Sequence, residues 1–102
     1  MAERFQYFKI TLKLVDNPIN SNERVFIAKL STFNSYMLNI LYGSNSALYL
    51  IISWGDVNII KLYEAEGSSS KYIIEVSSNE LYIKNVSDGN INPHIGIIGV
   101  CI

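Results

Sequence analysis

The sequence predicts an all-β fold, an antiparallel β-sandwich or jelly roll of about eight strands. Apolar residues alternate with polar ones at a period of two along most of the chain, which is typical of half-buried strands. Sixteen isoleucines among 102 residues add to the strand-forming residues. Turn-forming residues separate the alternating runs at intervals of about 8–12 residues, and helical spacing is absent. A chain of this length forms one core, so we expect a single domain, residues 1–102.

The first half of the chain contains four predicted strands, at residues 8–14, 24–31, 36–42 and 48–54. The first alternates apolar residues with lysine and threonine, the pattern of a half-buried strand. In the fourth, one face carries Leu48, Leu50 and Ile52, and the other carries tyrosine, isoleucine and serine. Two apolar faces are typical of a central strand that is covered on both sides. We therefore expect Trp54, at the end of this strand, to lie in the core.

The second half contains four more predicted strands, at residues 57–64, 72–76, 81–83 and 94–102. Residues 65–70, which contain a glycine followed by three serines, predict a flexible loop after the first of these strands. The interval Ser77 to Glu80 has the length of a tight hairpin. Gly96 and Gly99 in the last strand predict a β-bulge or a close approach to its backbone.

The composition excludes several classes of function. The net charge is −1, whereas a nucleic-acid-binding domain usually carries a basic stripe. No apolar run approaches the ~20 residues of a membrane span. Single residues, Cys101 and His94, provide neither a disulfide nor a histidine-rich metal site within one chain, so we expect no metal and no cofactor. Asn85-Val86-Ser87 matches the N-glycosylation sequence, and we interpret the match as chance.

Catalysis has little support in the sequence, and we predict that the chain is not an enzyme. A nucleophilic mechanism would need His94 as its base, but a histidine beside Pro93 at the start of a strand is ordinary. Glu64 and Glu66 would share a strand face and are the candidates for a pair of carboxylates that hydrolyses glycosides. Because they flank a glycine and serine loop, a solvated loop edge is the simpler interpretation. Hydrolysis remains as the third hypothesis.

Recognition is the better-supported function. Only 17% of the residues are charged, and asparagine, serine and tyrosine take the place of the missing charges. Neutral hydrogen-bonding residues of this kind form adaptable binding loops. The predicted binding positions lie in three loops: Asn20, Asn22, Asn45, Ser46, Asp88, Asn90 and Asn92.

The same low charge predicts that the chain associates with itself. Several apolar residues on the second faces of strands need cover that one small core does not provide: Val25, Leu41, Tyr49, Ile51, Ile60 and Ile73. A second copy of the chain would supply it. A thick core with loops folded over it is the alternative.

In addition, the chain resembles the C-terminal head domains of bacteriophage tail fibres. The resemblance begins with the aromatic-rich first strand at residues 5–12, although Phe5 and Tyr7 stand where that family has tryptophans. It continues with Ile-Lys-Leu-Tyr at 60–63 and Leu-Tyr-Ile-Lys-Asn at 81–85. The apolar and glycine-containing strand at 95–100 completes it, so that the likeness covers almost the whole chain in order.

This resemblance implies a sandwich similar to that of tumour necrosis factor, assembled as a homotrimer around a three-fold axis. It also implies a place in the virion tail and binding, without cleavage, of a host cell-surface component, commonly a polysaccharide. The neutral polar loops would then form the receptor surface. The second hypothesis is a monomeric carbohydrate-binding or lectin-like module, which would bind through one aromatic platform. The oligomeric state separates the two.

Overall fold

The computed structural model describes residues 7–14 and 18–101, and for residues 18–99 also the side chains. These residues form eight strands. They are β1 (Tyr7–Leu14), β2 (Arg24–Lys29), β3 (Asn34–Leu41), β4 (Ala47–Trp54), β5 (Asp56–Glu64), β6 (Tyr72–Ser77), β7 (Glu80–Asn85) and β8 (His94–Cys101). Every predicted strand is confirmed, with its ends within two residues of the prediction. The last residue of the predicted eighth strand, Ile102, lies outside the described residues.

The strands form two antiparallel sheets. The five-stranded sheet has the order β1-β8-β3-β4-β5, and the three-stranded sheet has the order β2-β7-β6. All the neighbouring strands are antiparallel. The predicted antiparallel β-sandwich is thereby confirmed.

The core of apolar side chains lies between the two sheets. Both sheets contribute alternate residues to it, as the period of two requires. Its buried members are Ile19, Ile27, Leu30, Leu38, Ile40, Ala47, Tyr49, Ile51, Tyr72, Leu81, Ile83, Ile91, Ile95 and Ile97. Each fully buried leucine or isoleucine contributes about 1.5–3 kcal/mol, so this cluster is the main source of stability.

The orientation of β4 differs from the expectation. Tyr49, Ile51 and Ser53 face the core, while the leucines and isoleucine that alternate with them face outward and are half-buried. Trp54 shares that outward face and is 70% exposed, so the prediction that it lies in the core is wrong. A period of two tells which residues share a face. It does not tell which of two apolar faces is inside.

The tight hairpin between β6 and β7 is confirmed. Its two turn residues, Ser78 and Asn79, have φ angles of 51° and 62°. Both are left-handed, as in the type I′ turn whose twist matches that of the strands.

The glycines of β8 have one of the two predicted roles. A Cβ atom on Gly99 would lie 2.8 Å from the ring of Tyr36 on β3, so this position requires the absence of a side chain. The predicted bulge is absent from β8, which pairs without a register shift with both β1 and β3. In the described residues, bulges occur instead where β2 meets β7 and where β4 meets β5.

Candidate functional site

The outer face of the five-stranded sheet carries a continuous row of apolar side chains. Met37 on β3 pairs with Ile98 on β8 and with Leu50 on β4, and Leu50 pairs with Ile60 on β5. Paired side chains have Cβ atoms about 4.5–5.5 Å apart, so the row crosses four strands as one surface. Met37 and Ile60 are exposed, and the other two are half-buried.

Further apolar residues extend this row in both directions along the strands. They are Leu41, Leu48, Ile52, Trp54 and Tyr63. We call the row and these five residues the apolar face. Among the described side chains on this side of the sheet, only Asp56 and His94 belong to the acidic or basic residue types. A contiguous exposed apolar surface of this kind marks an interaction site in a soluble protein.

An aromatic pair ends the apolar face. The rings of Phe33 and Trp54 meet edge to face, with their centroids 4.6 Å apart, and Phe33 is 57% exposed. Phe33 has a φ angle of 67°, in the left-handed region that is costly for a bulky residue. A hydrogen bond from the backbone of Ser31 to the hydroxyl of Tyr36 holds the neighbouring turn. The chain therefore keeps a strained backbone while presenting an aromatic ring to the surroundings.

The opposite end of the sandwich contains a cleft of about 300 Å³. Three loops meet there: the one that follows β3, the one between β5 and β6, and the one between β7 and β8. Its lining consists of Tyr42, Ser70, Lys71 and residues 86–91. We call it the polar cleft.

Asn85 organises one wall of the polar cleft. Its side chain is fully buried, and Nδ2 donates to the carbonyl oxygens of Ile19 and Gly89, both at 2.7 Å. Its Oδ1 accepts hydrogen bonds from the backbone N–H and the hydroxyl of Ser87. The Asn-x-Ser sequence thus has a structural use, because the side chain of Asn85 takes the place of backbone partners in a loop without regular structure.

The other two loops are held by similar local bonds. The backbone N–H of Val86 donates to the carbonyl of Lys71 at 3.0 Å, which fixes the two walls to each other. The hydroxyl of Ser70 donates to the carbonyl of Gly67 at 2.6 Å. The backbone N–H of Tyr42 donates to the hydroxyl of Ser46 at 3.0 Å. The segment 65–70, where the sequence predicts a flexible loop, contains a short 3₁₀ turn at Ser68–Ser70 with hydrogen bonds of its own.

Three polar side chains of the cleft are left free for a ligand. Within the described residues, the side chains of Lys71, Asp88 and Asn90 are exposed and make no hydrogen bond or ion pair. They provide an ammonium group, a carboxylate and an amide, beside the half-buried ring of Tyr42. This combination offers donors and acceptors around one apolar surface.

The structure brings only two of the seven predicted binding residues to the cleft lining, Asp88 and Asn90. Asn20 and Asn22 lie in an exposed turn where the backbone N–H of Asn22 donates to the carbonyl of Asn85. Asn92 is exposed just beyond the lining.

The remaining two predicted residues, Asn45 and Ser46, make hydrogen bonds that hold the loops in place. The amide of Asn45 donates to the carbonyl of Glu66 at 3.3 Å, and its own carbonyl accepts the hydroxyl of Tyr72 at 2.5 Å. The hydroxyl of Ser46 donates to the carbonyl of Gly43. Sequence reasoning missed Tyr42, Ser70 and Lys71, since no local signal indicates that these three loops meet.

Glu64, the first candidate for a hydrolytic carboxylate, is already engaged. Its Oε2 accepts the hydroxyl of Tyr49 at 3.0 Å, and its Oε1 lies 3.1 Å from the Nζ of Lys61. Burial, together with this hydrogen bond, raises the pKa of Tyr49. Glu66 is exposed in the following turn. Both carboxylate oxygens of Glu64 therefore already have a partner, one with the buried Tyr49 and one with the exposed Lys61.

Among the side chains that the structure describes, no three histidine, cysteine or acidic groups come together in a way that could hold a metal ion. His94 is exposed at the start of β8. The described part of the chain has no helix with the length and hydropathy of a membrane crossing.

Comparison with solved structures identifies the same fold in two phage tailspikes. One is tailspike protein gp49 from Acinetobacter baumannii bacteriophage Fri1, described as a capsular polysaccharide depolymerase. It matches with a TM-score of 0.66 and 8% identity, over 98% of this chain and 18% of the tailspike. The other is the tailspike of Acinetobacter phage vB_ApiP_P1, with a TM-score of 0.54 and 18% identity, over 89% of this chain and 20% of that one.

The chain therefore spans about a fifth of either tailspike, and the likeness concerns the fold of that part. No protein-family model matches the sequence, and no curated protein matches it either.

Proposed function

We propose that this chain is a receptor-binding head domain of a phage tail fibre or tailspike, residues 1–102. It acts in the virion tail as a homotrimer that attaches to polysaccharide on the host cell surface. The observation that carries the proposal is the apolar face, a large surface of the described chain on which apolar side chains are exposed to water.

The homotrimer is the arrangement that would cover the apolar face. Identical copies around a closed axis bury the same patch on every copy, which removes apolar area from water without leaving an open edge. Trp54 and Phe33 would be the large anchors of such an interface, because buried aromatic residues dominate the energy of association.

The glycan ligand is supported by the comparisons. The two solved structures compared above are tailspikes, and one of them is described as a capsular polysaccharide depolymerase. The depolymerase is a chain about five times as long as this one, so we assign attachment rather than cleavage to this domain. The engagement of Glu64 by Tyr49 and Lys61 supports that choice.

Two measurements test the proposal. Light scattering at micromolar concentration should give a mass near three times 11.5 kDa. Biolayer interferometry against immobilised capsular polysaccharides should give reversible binding with no release of shorter sugars. A monomer would contradict the homotrimer, and the absence of binding to any capsule or other surface glycan would contradict the attachment function. Sugar release that stops with Glu64→Gln or Glu66→Gln would favour the hydrolase.

A monomeric carbohydrate-binding module is the second candidate, because the exposed Phe33 and Trp54 rings form an aromatic platform of the kind that stacks on sugars. Trp54→Ala separates the two proposals. In a module, this substitution abolishes sugar binding by a chain of 11.5 kDa. In a trimeric head, it weakens the assembly first and leaves binding by each remaining trimer unchanged.

A further inference from the structure

We propose that the polar cleft is a sugar subsite that holds one monosaccharide unit of the bound polysaccharide. Asp88 and Asn90 bond the sugar hydroxyls, Lys71 donates to its oxygen atoms, and the ring of Tyr42 packs against its apolar side. This inference rests on the proposed function in one respect, namely that the ligand of the chain is a glycan.

The chemistry of the free groups fits a sugar. A carboxylate accepts two hydroxyl protons, an amide both donates and accepts, and an ammonium group only donates. Together they match a ring of hydroxyls, each of which is donor and acceptor at once. Asp88, Asn90 and Lys71 have no partner within the described chain, so a ligand would break no existing contact.

The backbone of the cleft is already in place before a ligand arrives. The buried amide of Asn85 holds the carbonyl of Gly89, between the two hydroxyl-binding residues. Ile19 and Ile91 form a two-way backbone bridge, with N–H to carbonyl distances of 2.7 and 3.1 Å, that fixes the end of the same loop. A preformed loop costs less conformational entropy on binding, which favours the recognition of a small polar ligand.

Size and position agree with this use. A cleft of about 300 Å³ lies at the lower end of the range of ligand sites, so it suits one sugar unit rather than a long stretch of chain. Tyr42 follows the end of β3 that is opposite to Phe33, and the cleft lining shares no residue with the apolar face. Three copies joined through the apolar face would therefore keep three open clefts, whose weak affinities combine into avidity.

The test compares two asparagines of one loop. Asn90 lines the cleft and Asn92 does not, although both are exposed. Binding to a capsular polysaccharide recognised by the wild-type chain is measured by biolayer interferometry for Asp88→Ala, Asn90→Ala and Asn92→Ala. Each lost hydrogen bond lowers affinity by roughly tenfold, so we expect about a tenfold loss for each of the first two. Asn92→Ala should bind within about twofold of wild type.

Circular dichroism and the melting temperature serve as controls for folding. We expect both to match the wild-type chain, because the substituted side chains have no partners. Equal binding by all three variants and the wild-type chain would overturn the subsite and leave the attachment function standing. No glycan binding by the wild-type chain would overturn both. Nuclear magnetic resonance gives an independent readout, with the methyl glycosides of glucose, galactose and glucuronic acid as probes. Amide shifts at residues 87–91 are expected, and shifts confined to Phe33 and Trp54 would contradict the subsite.

Discussion

The outer faces of the two sheets differ in chemistry. On the three-stranded sheet, Arg24 lies over the ring of Tyr82 at 3.9 Å and pairs with Glu75 at 3.7 Å. The hydroxyl of Tyr82 donates to Glu80 at 2.7 Å, and Phe26 meets the same ring edge to face. That face carries charged side chains, several of which pair with one another, and suits contact with water. The five-stranded sheet instead presents methionine, leucine, isoleucine and tryptophan.

The inner faces of the two sheets are alike, since both are largely apolar. The three-stranded sheet carries the fully buried amide of Asn85 at the end of β7, whereas the five-stranded sheet packs the Tyr36 ring against Gly99. The difference between the sheets therefore lies on their outer faces, where the three-stranded sheet carries charged side chains and the five-stranded sheet carries mainly apolar ones. Two apolar faces are typical of a sheet that is covered on both sides, so the comparison supports the proposal that a homotrimer covers the apolar face.

Removing the polar group inside the three-stranded sheet should have the largest effect. Asn85→Ala removes all the hydrogen bonds of this side chain and leaves the backbone N–H of Ser87 without a partner, whereas the carbonyls of Ile19 and Gly89 each keep one other donor. Each lost hydrogen bond costs about 0.5–1.5 kcal/mol and a buried unsatisfied group about 1–3 kcal/mol, so we expect a loss of roughly 4 kcal/mol in the free energy of unfolding, measured with urea. Asn39→Ala on the outer face of the five-stranded sheet is the matched control, expected within about 1 kcal/mol. Equal costs would contradict the role of the network.

A charge on each outer face tests the central comparison directly. Ile60 on β5 and Ile73 on β6 are 43% and 38% exposed, one on each sheet. We expect Ile60→Glu to weaken self-association at least a hundredfold, about 2.7 kcal/mol, because a carboxylate at the interface would be desolvated. Ile73→Glu should leave the association constant within about twofold. Sedimentation equilibrium measures both. Equal behaviour of the two variants would show that the apolar face is not the interface.

The inside of the five-stranded sheet is tested by adding one methyl group. Gly99→Ala places a Cβ atom 2.8 Å from the Tyr36 ring, and overpacking of a core costs typically about 1–3 kcal/mol. We expect a loss of about 2 kcal/mol in the free energy of unfolding, measured by thermal melting. Gly89→Ala is the control, since nothing lies within 4 Å of its added Cβ. A neutral Gly99→Ala would mean that the tyrosine ring moves aside easily.

The same two sheets show which features of the fold can be predicted from alternation along the chain. Local alternation predicts all eight strands, and the short Ser77 to Glu80 interval predicts the hairpin. It does not orient β4, because both faces of that strand are apolar and either satisfies the pattern. Of the six residues expected to need cover, Val25, Tyr49 and Ile51 face the core. Leu41 and Ile60 belong to the apolar face, and Ile73 lies outside on the three-stranded sheet.

The candidate site is less accessible to sequence reasoning than the fold. Asp88 and Asn90 stand out because an Asp-Gly-Asn run indicates a turn, and turns carry binding residues. Tyr42 and Lys71 lie 29 positions apart in the sequence and meet the 86–91 loop only after the two sheets pack. Contacts of this range depend on the order of strands in the sheets, which alternation along one strand does not contain.

The smallest expected change in stability concerns Tyr72 on the three-stranded sheet. Its hydroxyl donates to the carbonyl of Asn45, in the turn between β3 and β4 of the five-stranded sheet. Burial raises the pKa of Tyr72 to about 12, whereas a tyrosine in the unfolded chain has a pKa of about 10. Between these values the unfolded chain loses this proton and the folded chain keeps it. Stability is therefore fully present below pH 10 and falls above it, by at most about 1.4 kcal/mol per pH unit.

Tyr72→Phe removes this dependence along with one hydrogen bond. We expect the variant to be about 1 kcal/mol less stable than wild type at pH 7, and the difference to shrink or reverse by pH 11. Urea unfolding across that range measures it. Tyr63→Phe, which removes an exposed phenol from the apolar face, controls for the loss of a hydroxyl group as such. A difference between Tyr72→Phe and wild type that stays constant with pH would mean that the contact between the sheets opens before the phenol ionises.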